Sequence, residues 1–144
     1  MSWIDERLAE RQALVERNRL LDDHAVQVYA AVWKEMMTFV EEAKTKGFSN
    51  LLTNGSVQNR RLILAVPGND KTLSVTMTDK RIIRASCSGK ESRFELDVCD
   101  GGIVCLRHDG EQVTEQEAAR RILDPFLFPD LPPANTSAAL IEKW

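Results

Sequence analysis

The stretch CDGGIVCLRHDG, residues 99–110, contains two of the three cysteines in the chain and one of its two histidines. Thiolates and imidazoles are the usual ligands of structural zinc, and neighbouring thiols can exchange with a disulfide. A closed zinc site needs about four ligands that converge on one point. Whether this stretch can bind a metal or exchange a disulfide therefore depends on whether these side chains lie on the same face of the sheet.

A β-hairpin is the predicted structure of this stretch, because apolar and polar residues alternate on both sides of the turn at residues 100–102. A two-residue loop puts apolar residues of one strand on the face that carries the acids of the other. A three-residue loop with Gly102 in the left-handed conformation matches apolar with apolar and acid with base, so we predict this register. The matched pairs are Val98–Val104, Leu96–Leu106 and Glu95–Arg107.

In this register the chemical side chains do not converge. Cys99 and Cys105 are diagonal neighbours, ~7–8 Å apart and beyond the usual reach of a disulfide. His108 belongs to the other face, and Cys87 occupies a core position on another strand. We therefore predict reduced cysteines and no metal-binding, cofactor-binding or catalytic site here.

Length and composition narrow the class of protein. A chain of 144 residues, 43% hydrophobic and 28% charged, is typical of one globular domain, residues 1–144. A net charge of −3 gives no overall basic character for nucleic-acid binding. The charged start does not resemble a secretory signal, no long apolar run is present, and the cysteine spacing is typical of a reducing compartment. We expect a cytoplasmic protein that neither enters membranes nor binds nucleic acid.

Residues 1–46 form the predicted helical region. Apolar residues recur at helical spacing between residues 21 and 43, and Gly47 is a typical C-terminal stop. Asp22 and Asp23 can also cap the start of a second helix. One bent helix and two helices broken near residues 22–24 both fit this pattern.

Residues 57–108 have a period of two and are predicted to form five antiparallel strands. Matching of side chains places the other hairpin loops at residues 68–71, 79–81 and 89–92. The expected pairs are Leu64–Val75, Leu73–Cys87, Met77–Ile83, Val75–Ala85, Cys87–Phe94, Ala85–Leu96 and Arg84–Asp97. One face of this meander is apolar, and the other carries paired charges without an aromatic residue, which disfavours the stacking of nucleic-acid bases.

The remaining pattern predicts a second helix and a further short hairpin. Thr114 and Glu117 form a capping box for a helix over residues 114–124, which is expected to stop at Asp124-Pro125. Asn54-Gly55 is compatible with a hairpin before the first long strand. The fold class is α+β: a five-stranded antiparallel meander with one face covered by the long N-terminal helix and the short C-terminal helix.

The feature of the sequence that is most informative about function is a predicted helix longer than the sheet on which it packs. A continuous helix over residues 3–46 would be about 66 Å long, whereas strands of about seven residues span ~23 Å. Unmatched apolar residues lie at both ends of the chain, the second end being an extended C-terminal arm over residues 129–144. They are Trp3, Ile4, Leu8, Phe126, Phe128 and Trp144. We expect a non-enzymatic protein-interaction module, a homodimer or a binder of another protein, unless both ends fold back on their own domain.

Two other functions are compatible with the sequence. Small residues in the middle of the apolar face suggest a pocket for a small apolar ligand between helix and sheet. Its candidate residues are Trp33, Ala85, Cys87, Phe94 and His108. An enzyme that uses His108 and a nearby carboxylate is the weaker alternative, because no serine or cysteine is placed beside a histidine.

Overall fold

The structure is a computed structural model that describes residues 2–56, 60–67, 71–79 and 81–132. It has an α+β fold in which two helices lie against an antiparallel sheet. The elements are α1 (Trp3–Thr45), β1 (Leu52–Ser56), β2 (Arg61–Ala65), β3 (Thr72–Asp79), β4 (Ile82–Cys87), β5 (Lys90–Cys99), β6 (Ile103–His108), β7 (Glu111–Val113) and α2 (Glu115–Leu127). No described helix combines the length and the apolar composition that crossing a bilayer requires.

The described part of the sheet has seven strands in sequence order, so the predicted number of five was too low. The two additional strands, β1 and β7, are the edge strands. Both are short and mostly exposed, and their sequences carry little apolar alternation. Asn54 and Gly55 lie within β1 and not in a turn, which shows that an edge strand can form without the pattern that marks a buried one.

Helix α1 is continuous over 43 residues, about 65 Å. The Ser2 hydroxyl caps its start by accepting from the Asp5 N–H, and the Phe48 N–H donates to the Ala43 carbonyl beyond its end. The break considered near residues 22–24 is absent, because Leu21 and Ala25 remain buried on the same face through this region. The helix therefore extends well beyond the sheet that it covers.

The core lies between the helices and one face of the sheet. Its members in α1 are Leu21, Ala25, Val28, Tyr29, Val32, Met36 and Val40, and α2 adds Ala118, Ala119, Ile122, Leu123 and Phe126. The sheet contributes Leu62, Leu64, Leu73, Val75, Met77, Ile83, Ala85, Phe94, Leu96, Leu106 and Val113. The inner face is therefore composed of the residues that the period of two predicts.

The hairpin between β5 and β6 has the predicted register. Its pairs include Val98–Val104, Leu96–Leu106 and Glu95–Arg107. A short 3-10 turn over Asp100–Gly102 closes the hairpin, and Gly102 is left-handed with φ 74°. Matching apolar with apolar and acid with base therefore identifies the register of this hairpin.

Two other hairpins have a different register from the predicted one. The observed pairs are Leu64–Leu73 and Ile83–Phe94, where Leu64–Val75 and Cys87–Phe94 were expected. A tight turn at Ser88 and Gly89, both with positive φ, replaces the longer loop predicted between β4 and β5. Each displacement is an even number of residues, so every side chain keeps its face and the apolar pattern does not distinguish the alternatives.

The hairpin between β3 and β4 is as predicted near its open end and differs near its turn. Leu73–Cys87 and Val75–Ala85 are observed, but a β-bulge between Thr76 and Asp79 removes the expected Met77–Ile83 pair. The predicted Arg84–Asp97 pair is also wrong. Arg84 lies opposite Arg93 and contacts Glu91 at 3.9 Å, because of the changed register between β4 and β5.

Helix α2 starts at the predicted cap, where the Thr114 hydroxyl accepts from the Glu117 N–H at 3.1 Å. It runs through Pro125 to Leu127, so the predicted end at residue 124 was too early. Pro125 removes one N–H from the last turn and crowds the carbonyl of Arg121, and the burial of Phe126 holds this turn on the core despite that cost. Residues 133–144, which include most of the predicted arm and Trp144, lie outside the described residues.

Candidate functional site

The N-terminal half of α1 projects beyond the sheet. Every residue from Trp3 to Arg17 is exposed, and the first buried residue is Leu21. We call residues 3–20 the projecting segment; at 1.5 Å per residue it is about 27 Å long. Its exposed large apolar side chains are Trp3 (71% exposed), Ile4 (52%), Leu8 (51%), Leu14 (54%) and Val15 (52%). No other described part of the chain covers them.

Three of these five apolar side chains, Trp3, Ile4 and Leu14, continue the face by which α1 packs on the sheet. At 100° per residue these three lie within the arc of the buried α1 residues, and Val15 and Leu8 lie roughly 20° and 40° beyond its edge. The exposed stripe is therefore an extension of the core-facing side of α1, and not a set of isolated surface residues. A partner that covered it would extend the existing core along the helix.

Ion pairs fix the base of the projecting segment. Arg17 donates to Asp97 of β5 at 2.5 Å, and Arg81 lies 3.4 Å from Asp22 one turn further along α1. Hydrogen bonds from Arg17 and then from Arg107 lower the pKa of Asp97 from 3.8 to about 2, against the opposing effect of desolvation. The direction of the segment relative to the sheet is thus set by charged contacts as well as by packing.

The candidate interaction residues near the other end of the chain occupy different environments. Phe126 is a core residue at 2% exposure, so it is not available to a partner. Phe128 is 41% exposed and packs edge-to-face on Phe48, with ring centroids 5.8 Å apart. Because Phe48 follows the C-terminal end of α1, Phe128 lies at the opposite end of the long helix from Trp3.

The candidate pocket residues do not line one cavity. Ala85 and Cys87 line a cleft of about 360 Å³ whose other wall is α2; we call it the α2 cleft. Phe94 is fully buried and stacks on His108 at a centroid distance of 4.3 Å, and neither residue lines this cleft. Trp33 packs against the core on α1 and is also outside the lining.

His108 belongs to a polar cluster around the buried Arg121 side chain, which is 8% exposed. The Arg121 guanidinium donates to His108 Nδ1 at 3.1 Å, to Glu111 at 2.8 Å and to Glu117 at 3.2 Å. Burial alone would lower the pKa of Arg121, but the hydrogen bonds to Glu111 and Glu117 raise it. Since His108 Nδ1 accepts from a guanidinium, its proton is assigned to Nε2, which lies 3.6 Å from Asp109.

This arrangement gives His108 a positioning role in the fold. Its Nδ1 lone pair is engaged with Arg121, so that nitrogen is not available as a general base in this tautomer. The nearest carboxylate to Nε2 is the exposed Asp109 in the turn between β6 and β7. These contacts connect β6 and β7 to α2, so the cluster stabilises the fold.

Cys99 and Cys105 form a disulfide, so the prediction of reduced cysteines at these positions was wrong. The register behind that prediction holds, but the Cα atoms are 6.1 Å apart, less than the ideal diagonal spacing and within disulfide range. The twist of a short hairpin brings one pair of diagonal neighbours together. Cys87 is the free cysteine, and among the described residues no three His, Cys, Asp or Glu side chains are grouped as a metal site.

Comparison of the chain with protein-family models, with curated proteins and with solved structures gives no match in any of the three. A functional assignment for this chain therefore rests on its own geometry. Among the described residues, the projecting segment and the α2 cleft are features that packing within the chain does not explain.

Proposed function

We propose that this protein is a non-enzymatic interaction module that self-associates through the projecting segment, with the segments of two copies packed antiparallel. The observation that carries the proposal is the run of exposed helix from Trp3 to Arg17, which continues the core-facing stripe of α1. Buried contacts within one chain account for α1 only from Leu21 onward.

The apolar content of the segment favours a helical partner. An isolated helix of ~12–15 residues is marginal in water, so a helix that projects without packing gains little from its own hydrogen bonds. Fully burying a Leu, Ile or Val side chain contributes about 1.5–3 kcal/mol. The five exposed apolar residues therefore offer a large stabilisation to any surface that covers them, and Ser2 and an Arg7–Glu10 ion pair already support the helical form.

The charges of the segment favour a second copy as that partner. Its acids and bases balance, and three of the four acids lie in its first half while two of the four arginines lie at its end. The acids are Asp5, Glu6, Glu10 and Glu16, and the bases are Arg7, Arg11, Arg17 and Arg19. Antiparallel pairing brings the acidic start of one segment to the basic end of the other, whereas parallel pairing opposes like charges. The antiparallel arrangement also aligns the helix dipoles favourably.

The expected dimer is concentration-dependent. Stable interfaces usually bury about 1,200–2,000 Å² in total, and a contact between two helices of about 27 Å lies at or below that range. The association should therefore be visible as a rise in mass with protein concentration. The second apolar end, around Phe128, lies too far along α1 to take part in the same contact.

Light scattering over roughly 5–500 μM protein tests the proposal. The full chain should rise from the monomer mass of 16.3 kDa toward twice that value. The double variant Leu8→Glu, Val15→Glu should remain monomeric, because it places charge in the stripe. Val26→Glu is the matched control, since Val26 is also 52% exposed on α1 but lies outside the projecting segment. A full chain that stays monomeric throughout, or a double variant that dimerises equally well, would refute self-association by this surface.

A second candidate function is the binding of a small ligand. The α2 cleft favours it, because small side chains at Ala85 and Cys87 face α2 across an open volume of about 360 Å³. That volume falls within the ~300–1,000 Å³ of small-molecule sites. The cleft lies between the sheet and α2, whereas the sequence suggested a pocket beside the N-terminal helix.

A further inference from the structure

We infer that the α2 cleft binds a carboxylate with an apolar body, such as a medium-chain fatty acid. The inference is separate from self-association, since none of the residues that line the cleft belongs to α1. One wall is formed by β3, β4 and β5, and the other by α2 with the residues that follow it. The cleft thus joins an apolar interior to a polar, positively charged edge.

The apolar part of the cleft comes from residues of both layers. Leu73 and Ala85 form its floor on the sheet, and Ile122, Phe128 and Leu131 face them. Ala85 lies opposite Val75 on one side and Ser92 on the other, so a small residue is flanked by another small residue in the middle of the sheet. The open volume lies over Ala85 and Ser92, whose side chains are small.

The buried guanidinium of Arg121 supplies the polar end. A guanidinium has five N–H donors, and three of them are used by Glu111, Glu117 and His108. One N–H on each terminal nitrogen remains, although the side chain is only 8% exposed and lines the cleft. A carboxylate oxygen is a strong acceptor for such N–H groups.

The charges at the edge favour an anion over a cation. Lys71 and Lys90 line the cleft, and Asp124 is the one acid in its described lining. The charge of Arg121 is itself offset by Glu111 and Glu117, so the two lysines supply the positive charge. The hydroxyls of Ser88 and Ser92 are further donors. A ligand whose carboxylate reaches Arg121 while its chain lies between Ala85 and Ile122 satisfies both parts of the cleft. A trimethylammonium group at the same place would meet the cations.

Isothermal titration with three probes of equal chain length tests the inference: dodecanoate and dodecyltrimethylammonium below their micelle concentrations, and dodecanol below its solubility limit. Dodecanoate should bind one site in the micromolar range, and the other two should bind at least about tenfold more weakly. The Leu8→Glu, Val15→Glu variant should bind dodecanoate as the unmodified chain does, which separates the cleft from the projecting segment. Equal affinity for the three probes, or no dodecanoate binding, would overturn the inference.

Two substitutions that fill the α2 cleft test whether dodecanoate binds there. Ala85→Leu and Ser92→Leu each place a larger side chain in the cleft, and each should weaken dodecanoate binding by about tenfold or more. Thermal melts confirm that each variant folds. Ser92 is only partly buried, so Ser92→Leu decides the question if Ala85→Leu does not fold. Undiminished binding by a folded Ser92→Leu variant would also overturn the inference.

Discussion

Arg17 of α1 donates a hydrogen bond to the Asp97 carboxylate of β5 at 2.5 Å, at the point where the helix leaves the sheet. The other carboxylate oxygen accepts from Arg107 of β6 at 2.7 Å. The Val98 N–H donates to the same carboxylate at 2.8 Å. A single side chain therefore joins the helix to two strands and fixes the base of the projecting segment.

This carboxylate should make the stability depend on acid pH. The folded pKa of Asp97 is about 2 against 3.8 for the free side chain, chiefly because of Arg17 and next because of Arg107. The unfolded chain takes up the proton first, so the stabilisation is complete above about pH 4–5 and is lost as the pH falls toward 2. The arginines are 44% and 38% exposed, and we therefore expect about 1 kcal/mol and not the full value of the shift.

Urea unfolding of Asp97→Asn between about pH 6 and pH 2 measures this contribution. The difference in unfolding free energy from the unmodified chain should shrink as the pH falls. Asp23→Asn is the control, because Asp23 makes only an exposed contact with Arg19 at 3.8 Å and should alter the pH dependence little. An Asp97→Asn variant with the same difference at both ends of the range would contradict the assigned role.

The disulfide gives a prediction that chemical labelling can check. Under denaturing conditions without a reductant, iodoacetamide should modify Cys87 alone, and after reduction it should modify all three cysteines. The double variant Cys99→Ser, Cys105→Ser should lose about 2 kcal/mol, as the chain-entropy model gives for a short loop. Cys87→Ser should cost less, because Cys87 has no covalent partner. Three labelled cysteines without reductant would show that the bridge is absent.

The periodicity of apolar residues correctly predicts which face of each strand is buried. The period of two assigns the inner face of the sheet correctly, since Leu64, Val75 and Phe94 are all buried even though two registers differ. The excess of helix over strand length left two alternatives, a helix broken near residues 22–24 and a helix that projects, and the structure has the second. Whether a side chain is buried depends on the face of the strand to which it belongs. Displacing a strand by an even number of residues leaves every side chain on the same face, so the pattern of burial is unchanged.

The sequence does not reveal contacts between residues that are brought together only by the tertiary structure. Arg121 would be interpreted as a surface partner of Glu117 four residues earlier, yet contacts with Glu111 and His108 bury it at the α2 cleft. The disulfide likewise depends on a twist that ideal strand spacing omits. Edge strands such as β7 are too short and too exposed to carry an apolar period.

Gly55 occupies a position that should not accept a side chain. It has φ +143°, and a Cβ there would overlap the backbone carbonyl of Arg61 on β2. Gly47 has a similar φ of +135°, but a Cβ there would meet nothing within 4 Å. Gly55→Ala should therefore cost about 2 kcal/mol more than Gly47→Ala in chemical unfolding, since only the first adds a steric overlap to the backbone strain. Equal losses would show that β1 moves away from β2 without cost.

Phe126 and Phe128 should differ in their contribution to stability, although they lie two residues apart. Phe126 is buried in the core, and Phe126→Ala should cost about 3–5 kcal/mol through the cavity that it leaves. Phe128 keeps an edge contact with Phe48 but is 41% exposed, so Phe128→Ala should cost about 1 kcal/mol. Thermal and urea unfolding compare the two variants, and similar losses would mean that Phe126 is not held in the core as described.

Removal of residues 1–16 separates the stability of the domain from that of the assembly. No residue from 2 to 16 is buried, and Arg17 remains to contact Asp97. At low concentration the truncated and full chains should therefore agree within about 1 kcal/mol, the size of a lost helix cap. Association stabilises the folded state by mass action, so the melting temperature of the full chain should rise with protein concentration. The melting temperatures of the truncated chain and of the Leu8→Glu, Val15→Glu variant should not change with protein concentration. If all three melt independently of concentration, the exposed stripe serves a partner other than a second copy.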